Sequence, residues 1–480
     1  MAEDTLSVTP RSSAIETRSI DYVPENERHG RVGAQGPFWF LGNFQPFTVA
    51  IGFVGPLLGL SLGWTVAASV LGILFGTLFM AAHASQGPKL GLPQMIQSRA
   101  QFGYSGVILP LIATGFTFLA FNVVDTIIIK EGLHGIFGWN ATAVAVLITV
   151  AGALLAIYGH DWLHRVFKLL FWTSLPFWLV LTVGVMTGHA GGSAPAATTF
   201  TWAGFLAMFT VAASYNITYA PYVSDYSRYL PRQTRTGTII ASVFWGAAGS
   251  PIWLIPLGAW MATRLGVSDA LVGIRDSGNS VFGHLGSVLA ILAVLALVAT
   301  MGLNAYSGML TMVTAVDAFR PVVPTRQLRV IVIVVLAVVW LVAGMALTNA
   351  TTALNNALLA MLYLLAPWTA INLVDFFFLR HGHYAITDLF TPNGIYGRWS
   401  SRGVVAYLVA IAVEVPFAYI PGFYESKGAT WLQGVDISWI LGMIVGAAVY
   451  LGMSRRHPVA HEQDAIARSE AVLAQTGLAR

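Results

Sequence analysis

Apolar residues come in long runs along this chain, and each run is a candidate membrane-spanning helix. A helix needs roughly 20 mostly apolar residues to cross hydrocarbon. Twelve runs qualify, near 38–60, 64–86, 105–130, 139–158, 163–187, 202–226, 236–262, 285–317, 328–348, 352–379, 403–421 and 435–454. The sixth run is interrupted by Tyr215 to Pro231, YNITYAPYVSDYSRYLP, which carries Pro221, eight side-chain hydroxyls, Asn216, Asp225 and Arg228. Proline removes a backbone donor and disfavours helix geometry just before it, here at Tyr219 and Ala220. Backbone groups freed in this way persist at membrane depth only where protein, water or a ligand satisfies them, so the stretch is a binding-site candidate. The first run holds Pro46, Gly52, Gly55 and Pro56 and is expected to break near 52–56. Interruptions in the first and sixth helices predict two inverted repeats of five helices with a midplane site between them.

Composition supports this reading. Of 480 residues, 56% are hydrophobic and 10% charged, with a mean hydropathy of +0.70; an ordinary soluble protein is excluded. Basic residues set the orientation, because positively charged loops stay on the cytoplasmic side. With both termini cytoplasmic, only Lys130, Arg264, Arg275 and Lys427 of the 25 Lys and Arg residues face outward. The net charge of +4 therefore reads as loops beside anionic lipid rather than a nucleic-acid surface. The chain has no cysteine, which excludes disulfides, thiolate catalysis and cysteine-held metals. Residues 1–35 read as a disordered cytoplasmic tail, 36–200 as the first repeat, 201–385 as the inverted second repeat, 386–455 as two extra helices, and 456–480 as a cytoplasmic tail with a short amphipathic helix.

Polar residues inside the runs mark the chemistry. In the third run Phe118 and Asn122 share a helix face and Asp125 lies close to it. In the eighth run Asn304, Tyr306 and Ser307 fall mid-span, and the repeat relation brings Asn122 and Asn304 to the midplane from opposite directions. Each carboxamide donates and accepts, which suits a flat, neutral, nitrogen-rich ligand. Gly72 and Gly76 read as helix packing. The loop from Ser85 to Gly106 reads as a structured gating segment, and residues 264–286 as an external lid helix. Asp375 is expected to pair with a basic neighbour, and Glu414 has no assigned role. His160, Asp161 and His164 have a spacing that can bind metal, so an intramembrane metalloenzyme is the alternative from another class; HGHYAITD at 381–388 has the same ambiguity. A pore is disfavoured, since no ring of like charges or repeated carbonyl filter motif appears.

Three segments resemble the first nucleobase–cation symporter family, the permeases for cytosine, purines, uracil, allantoin, thiamine and hydantoins. They are GPKLGLPQMIQSRAQFGYSG at 87–106, YAPYVSDYSRYLP at 219–231 and PWTAINLVDFFFLR at 367–380. The resemblance covers roughly residues 35–455 and is closer to the purine-cytosine permease branch. It implies an all-α membrane protein of twelve helices with the five-plus-five inverted-repeat (LeuT-like) fold, not an enzyme, in the cytoplasmic membrane. It also implies a base held between rings on helices 3 and 6, placing Phe118 and Asn122, Tyr219 and Asn304 at the site, with Thr48 to Gly52 as the matching region of helix 1.

The chain departs from the family in ways that bear on cargo and coupling. Members commonly carry Trp where Phe118 and Tyr219 stand, and often Pro at Leu303. Sodium-coupled relatives have a hydroxyl pair where this chain has Ala299 and Val298, with Thr300 one place off. A proton is therefore favoured over sodium as the coupling cation, with no other cofactor or metal expected; Asp125 is a candidate for substrate or proton coupling, beside a structural or interfacial role. The expected partners are a planar nitrogen heterocycle and the lipid bilayer, with cytosine or a purine-like base first and allantoin, uracil, thiamine or a hydantoin as alternatives.

Overall fold

The computed structural model describes residues 19–192, 199–323, 325–455 and 462–479. The chain is almost wholly helical. We label its principal helices α1 (Val32–Gly42), α2 (Pro46–Ile51), α3 (Leu62–Ala84), α4 (Ile108–Phe137), α5 (Ala141–Tyr158), α6 (His160–Met186), α7 (Trp202–Ile217), α8 (Ala220–Ser227), α9 (Thr236–Trp260), α10 (Ala270–Val281), α11 (Leu285–Asp317), α12 (Arg326–Ala346), α13 (Ala350–Val374), α14 (Ser401–Glu414), α15 (Ser438–Ser454) and α16 (Gln463–Thr476). A small antiparallel hairpin pairs Tyr419–Ile420 with Tyr424–Glu425.

The starts of these helices are written locally. Ser61, Asn140, Thr201, Thr325 and Asn349 each accept a hydrogen bond from the backbone N–H three residues on, satisfying a donor that the helix itself leaves open. Replacing Asn140 by alanine is expected to cost about 1 kcal/mol, read as a small fall in thermal midpoint. At the other end of α4, Gly138 adopts a left-handed conformation (φ 68°) and stops the helix.

Among the described residues, eight helices are long and apolar enough to cross a membrane, and they contain α3, α4, α5, α6, α9, α11, α12 and α13. The other four expected runs fall short of that length as single helices. The eleventh ends at Glu414, and the twelfth spans Ser438–Ser454. The first and sixth are divided, into α1 with α2 and α7 with α8. Ile331, Val335, Val338 and Val342 of α12 are all more than half exposed, an outer face suited to acyl chains.

Small residues let α3 lie directly against α7. A Cβ on Gly76 would sit 2.1 Å from the Ala213 carbonyl oxygen, and one on Gly72 would sit 2.4 Å from that of Phe209, so the packing role expected of this pair is met. The segment read as a lid does contain a helix. α10 begins at Asp269, which accepts from the Val272 N–H (2.9 Å), and it buries Leu271 and Ile274 against α4 and α11.

Two expectations are changed in detail. The first run is interrupted twice. Gln45 is extended (φ −159°, ψ 167°) and Pro46 opens α2; α2 then ends at Ile51, where the Gly52 and Phe53 N–H groups make three-residue bonds to Val49 O (3.0 Å) and Ala50 O (3.1 Å) at helical angles, before a last short helix at Val54–Leu57. The N-terminal segment is also not a free tail throughout: Ser19, Ile20 and Val23 are fully buried. Arg28 donates to the carbonyls of Val23 (2.7 Å) and Pro88 (2.8 Å), Val23 N–H to Gly91 O, and Gly30 N–H to Tyr229 O. Residues 1–18 lie outside the described residues. Arg232 bonds both Glu25 (3.3 Å) and Glu470 of α16 (2.7 Å), so both described ends share one face, here the tail face. Arg28→Ala is expected to raise tryptic cleavage at Arg31 roughly tenfold, the equivalent of one net hydrogen bond lost.

Candidate functional site

The two interruptions are tied to one another. Asn43, just after α1, donates to Asn216 Oδ1 (2.9 Å) and to the Ala247 carbonyl (2.8 Å). Asn216, at the end of α7, donates in turn to Thr77 Oγ1 (2.6 Å) and to Ala247 O (3.1 Å). Between α7 and α8 the backbone keeps helical angles, with Tyr219 at φ −83°, ψ −9°, contrary to the expectation that Pro221 would drive Tyr219 out of that region. The ladder nonetheless tightens there to three-residue bonds, Tyr219 N–H to Asn216 O (3.2 Å) and Tyr222 N–H to Tyr219 O (3.0 Å).

The paired carboxamides meet. Asn304 Nδ2 donates to Asn122 Oδ1 (2.7 Å), and Asn122 Nδ2 donates to the Met301 carbonyl (3.2 Å). The Tyr222 hydroxyl completes the chain by donating to Asn304 Oδ1 (2.8 Å). All three side chains are at most 1% exposed, a depth at which every polar group needs such a partner.

Rings of α4 meet those at and just before α8. Phe121 lies against Tyr219, with centroids 5.3 Å apart and planes at 33°. Phe118 instead meets Tyr222 edge-on at 4.4 Å and 88°. Tyr219 also packs on Tyr222 (4.9 Å) and Tyr215 (5.4 Å). Thr48 is present beside this cluster, its hydroxyl donating to Asn43 O (2.5 Å) and lying 2.8 Å from the Tyr215 hydroxyl. Gly52 faces away from it. A Cβ there would lie 2.2 Å from Ile255 O and 2.5 Å from Ala259 N of α9, so absence of a side chain serves helix contact. Asp125 is buried (1% exposed), and neither carboxylate oxygen has a hydrogen-bond partner among the described residues.

Tyr222 and Phe121 were missed in the sequence. Each stands three residues from a residue that was singled out, Tyr219 and Phe118, and so shares its helix face. Asn43 and Gln45 precede Pro46, and a proline in the first turn of a helix is too ordinary a feature to signal a break by itself.

The loop of 87–106 forms three short helices, Gln86–Leu90, Gln94–Gln97 and Arg99–Phe102, and its buried amides run in series. Gln94 Nε2 donates to Gln86 (2.7 Å), Gln86 to Asn372 (2.6 Å), Asn372 to Gln101 (3.3 Å) and Gln101 to Asp375 (2.5 Å). The Gln94 N–H reaches Asp225 of α8 (3.0 Å). Asp375 also pairs with Arg380, the basic partner expected for it, and Arg380 clasps Glu462 at 2.7 and 2.8 Å.

Two open cavities, of about 560 and 530 Å³, lie on the tail face, lined in part by Lys89, Arg232 and Glu470 and by Tyr104 and Phe390. Neither reaches the amides. Metal chemistry at His164 finds no support, since that ring stacks on Phe38 (4.1 Å, 29°). Among the described residues no three His, Cys, Asp or Glu groups gather to hold an ion.

Comparison with known proteins agrees with this architecture. A family profile described as permease for cytosine/purines, uracil, thiamine, allantoin matches residues 22–442. YxlA of Bacillus subtilis (strain 168), whose purine-cytosine permease name is itself provisional, is 35% identical over 442 residues, covering 91% of this chain and 95% of its own. A purine-cytosine permease of Saccharomyces cerevisiae is 24% identical over 261 residues, 51% of this chain and 47% of its own. In structure the chain is similar to Mhp1, a nucleobase-cation-symport-1 family transporter, in a closed conformation with bromovinylhydantoin bound (TM-score 0.74, 18% identity, 96% of this chain and 100% of that one). Similarity to the inward-facing conformation of Mhp1 is lower (TM-score 0.69, 16% identity, 96% and 98%). The chain belongs to the nucleobase–cation symporter family, the permeases for cytosine and purines, uracil, thiamine and allantoin.

Proposed function

We propose that this chain is a secondary active transporter of the cytoplasmic membrane that imports cytosine or a purine-like base together with a proton. The observation that carries the reading is the enclosed Asn122–Asn304 pair, flanked by aromatic rings and set beside two interrupted helices. On this reading the chain crosses the membrane twelve times with both termini inside. Residues 36–200 and 201–385 form inverted repeats, with α1–α2 and α7–α8 as the broken members. Asn122, Asn304 and Thr48 supply polar contacts and Tyr219 a stacking face, opposed by Phe121 or Phe118. A base between two rings needs about 7 Å from centroid to centroid, two layers of ordinary carbon contact. The 5.3 Å separation of Phe121 and Tyr219 therefore opens by about 2 Å when a base enters between them. Alternating access would move one helix group against the other around the cluster.

A proton is supported by two features. Positions 298 and 299 carry Val and Ala, and the Thr300 hydroxyl is directed to the Ala296 carbonyl (3.2 Å), which leaves sodium without its hydroxyl pair. Asp125 has a buried carboxyl without a hydrogen-bond partner among the described residues. Such a group is costly as an anion and far cheaper as a neutral acid, which suits a group that takes up and releases a proton. In proteoliposomes an imposed pH gradient, acid outside, is expected to drive uptake of radiolabelled cytosine without sodium, and Asp125→Asn to abolish that drive. Uptake driven by a sodium gradient alone overturns the assignment. The same cluster suits allantoin, uracil, thiamine or a hydantoin as well, and a competition panel of these separates the cargoes.

A further inference from the structure

The Tyr222 hydroxyl ends a hydrogen-bond chain that has only one possible direction. The Met301 carbonyl can only accept, so the group of Asn122 that faces it (3.2 Å) is Nδ2. Asn122 Oδ1 is thereby turned to Asn304, which must offer Nδ2 (2.7 Å). Asn304 Oδ1 then faces Tyr222 (2.8 Å), and the phenol must donate its single hydrogen. With that hydrogen committed, the Tyr222 oxygen has only lone pairs left. The ring is fully buried and wedged between Phe118 (4.4 Å) and Tyr219 (4.9 Å), which holds the oxygen among the groups of the proposed site.

We infer that Tyr222 is a further polar contact of the carried molecule and that it acts there only as an acceptor, selecting for an in-plane N–H on the molecule's edge. This rests on the transporter reading above. A cargo edge presenting a carbonyl or a bare ring nitrogen meets lone pair against lone pair, and it leaves the phenol oxygen unsatisfied in an enclosed site.

The test removes cargo N–H groups one at a time in the wild type and in Tyr222→Phe. Inhibition of radiolabelled cytosine uptake is measured for cytosine, 2-pyrimidinone (no exocyclic amino group) and 1-methylcytosine (no ring N–H). Adenine, purine and 9-methyladenine form a parallel set with radiolabelled adenine. In the wild type, one of these removals is expected to raise the inhibition constant roughly tenfold or more. In Tyr222→Phe the same removal is expected to change it by less than about threefold. A variant that keeps the wild-type penalty for every removal overturns the inference. So does a variant that loses uptake of all ligands equally, because a purely structural role leaves the ratios unmoved. Should Tyr222→Phe fail to run as a monodisperse peak, the wild type alone decides: a penalty supports the inference, and import with indifference to every removal overturns it. A wild type that imports neither radiolabelled base defeats the transporter reading itself.

Discussion

Arg99→Met is expected to destabilise the folded chain by about 3–5 kcal/mol, the largest effect foreseen here. Arg99 is fully buried. It pairs with Asp317 (2.8 Å), donates to the Leu389 carbonyl (3.0 Å) and lies over the Tyr104 ring (4.1 Å). Removing the guanidinium takes a charged partner at 2.8 Å from the buried Asp317 carboxylate, and the Tyr104 hydroxyl (3.0 Å) and Val322 N–H (3.0 Å) that also donate to it are neutral. Neutral donors such as these do not replace a full charge in a low-dielectric interior. The check is the thermal midpoint of detergent-purified protein by gel filtration after heating, where Arg99→Met falls far below wild type. Arg99→Lys keeps the charge but not the forked geometry, and it is expected to fall in between. The double variant Arg99→Met with Asp317→Leu recovers most of the loss, since a buried ion pair exchanged whole for apolar groups costs little. A single variant as stable as wild type would show that the pair holds nothing together.

Asn304→Ala is expected to raise the KM for cytosine roughly tenfold to a hundredfold, equivalent to about 1–3 kcal/mol. The substitution deprives the cargo of one amide and also strands Asn122 Oδ1 and the Tyr222 hydroxyl, both bonded to Asn304. Part of the cost therefore falls on the empty protein, and the thermal midpoint is measured alongside uptake. A near-normal midpoint with a raised KM identifies a ligand contact, whereas a fallen midpoint with an unchanged KM identifies a packing bond. Normal transport by a stable Asn304→Ala protein removes the amide pair from the site.

Much of the scaffold could be read from the chain because hydrocarbon imposes a simple rule: twenty apolar residues in a row have few other uses. The two asparagines were legible for a related reason, as amides are too costly to strand inside a span. The sequence is less direct where one residue type serves two purposes. Gly52 marks the end of α2 and also lets α9 approach. A second interruption lies at Gln45, where Pro46 begins a helix and loses nothing by lacking an N–H. Pro221 likewise sits in the first turn of α8, so it marks a helix start more than a distortion. Helical spacing puts Phe118 and Phe121 near one face but does not say which of them touches Tyr219, and in the structure it is Phe121. The N-terminal segment was judged by its polar average, which hid Ile20, Tyr22 and Val23, all buried.

Parts of all three segments that carry the family resemblance meet on the tail face, away from the amide pair, although the second also carries Tyr219 and Tyr222, which reach it. Gln94 and Gln101 of the first, Asp225 of the second and Asn372, Asp375 and Arg380 of the third are joined through the buried amide series. They work as a mechanical seam, fastening a loop and two helices at one end of the bundle. On the proposed reading two proteins can agree at every position of this seam and still ferry different molecules, because the proposed cargo contacts lie elsewhere. Sorting such sequences by cargo calls for comparing positions 118, 121, 122, 219, 222 and 304 alone.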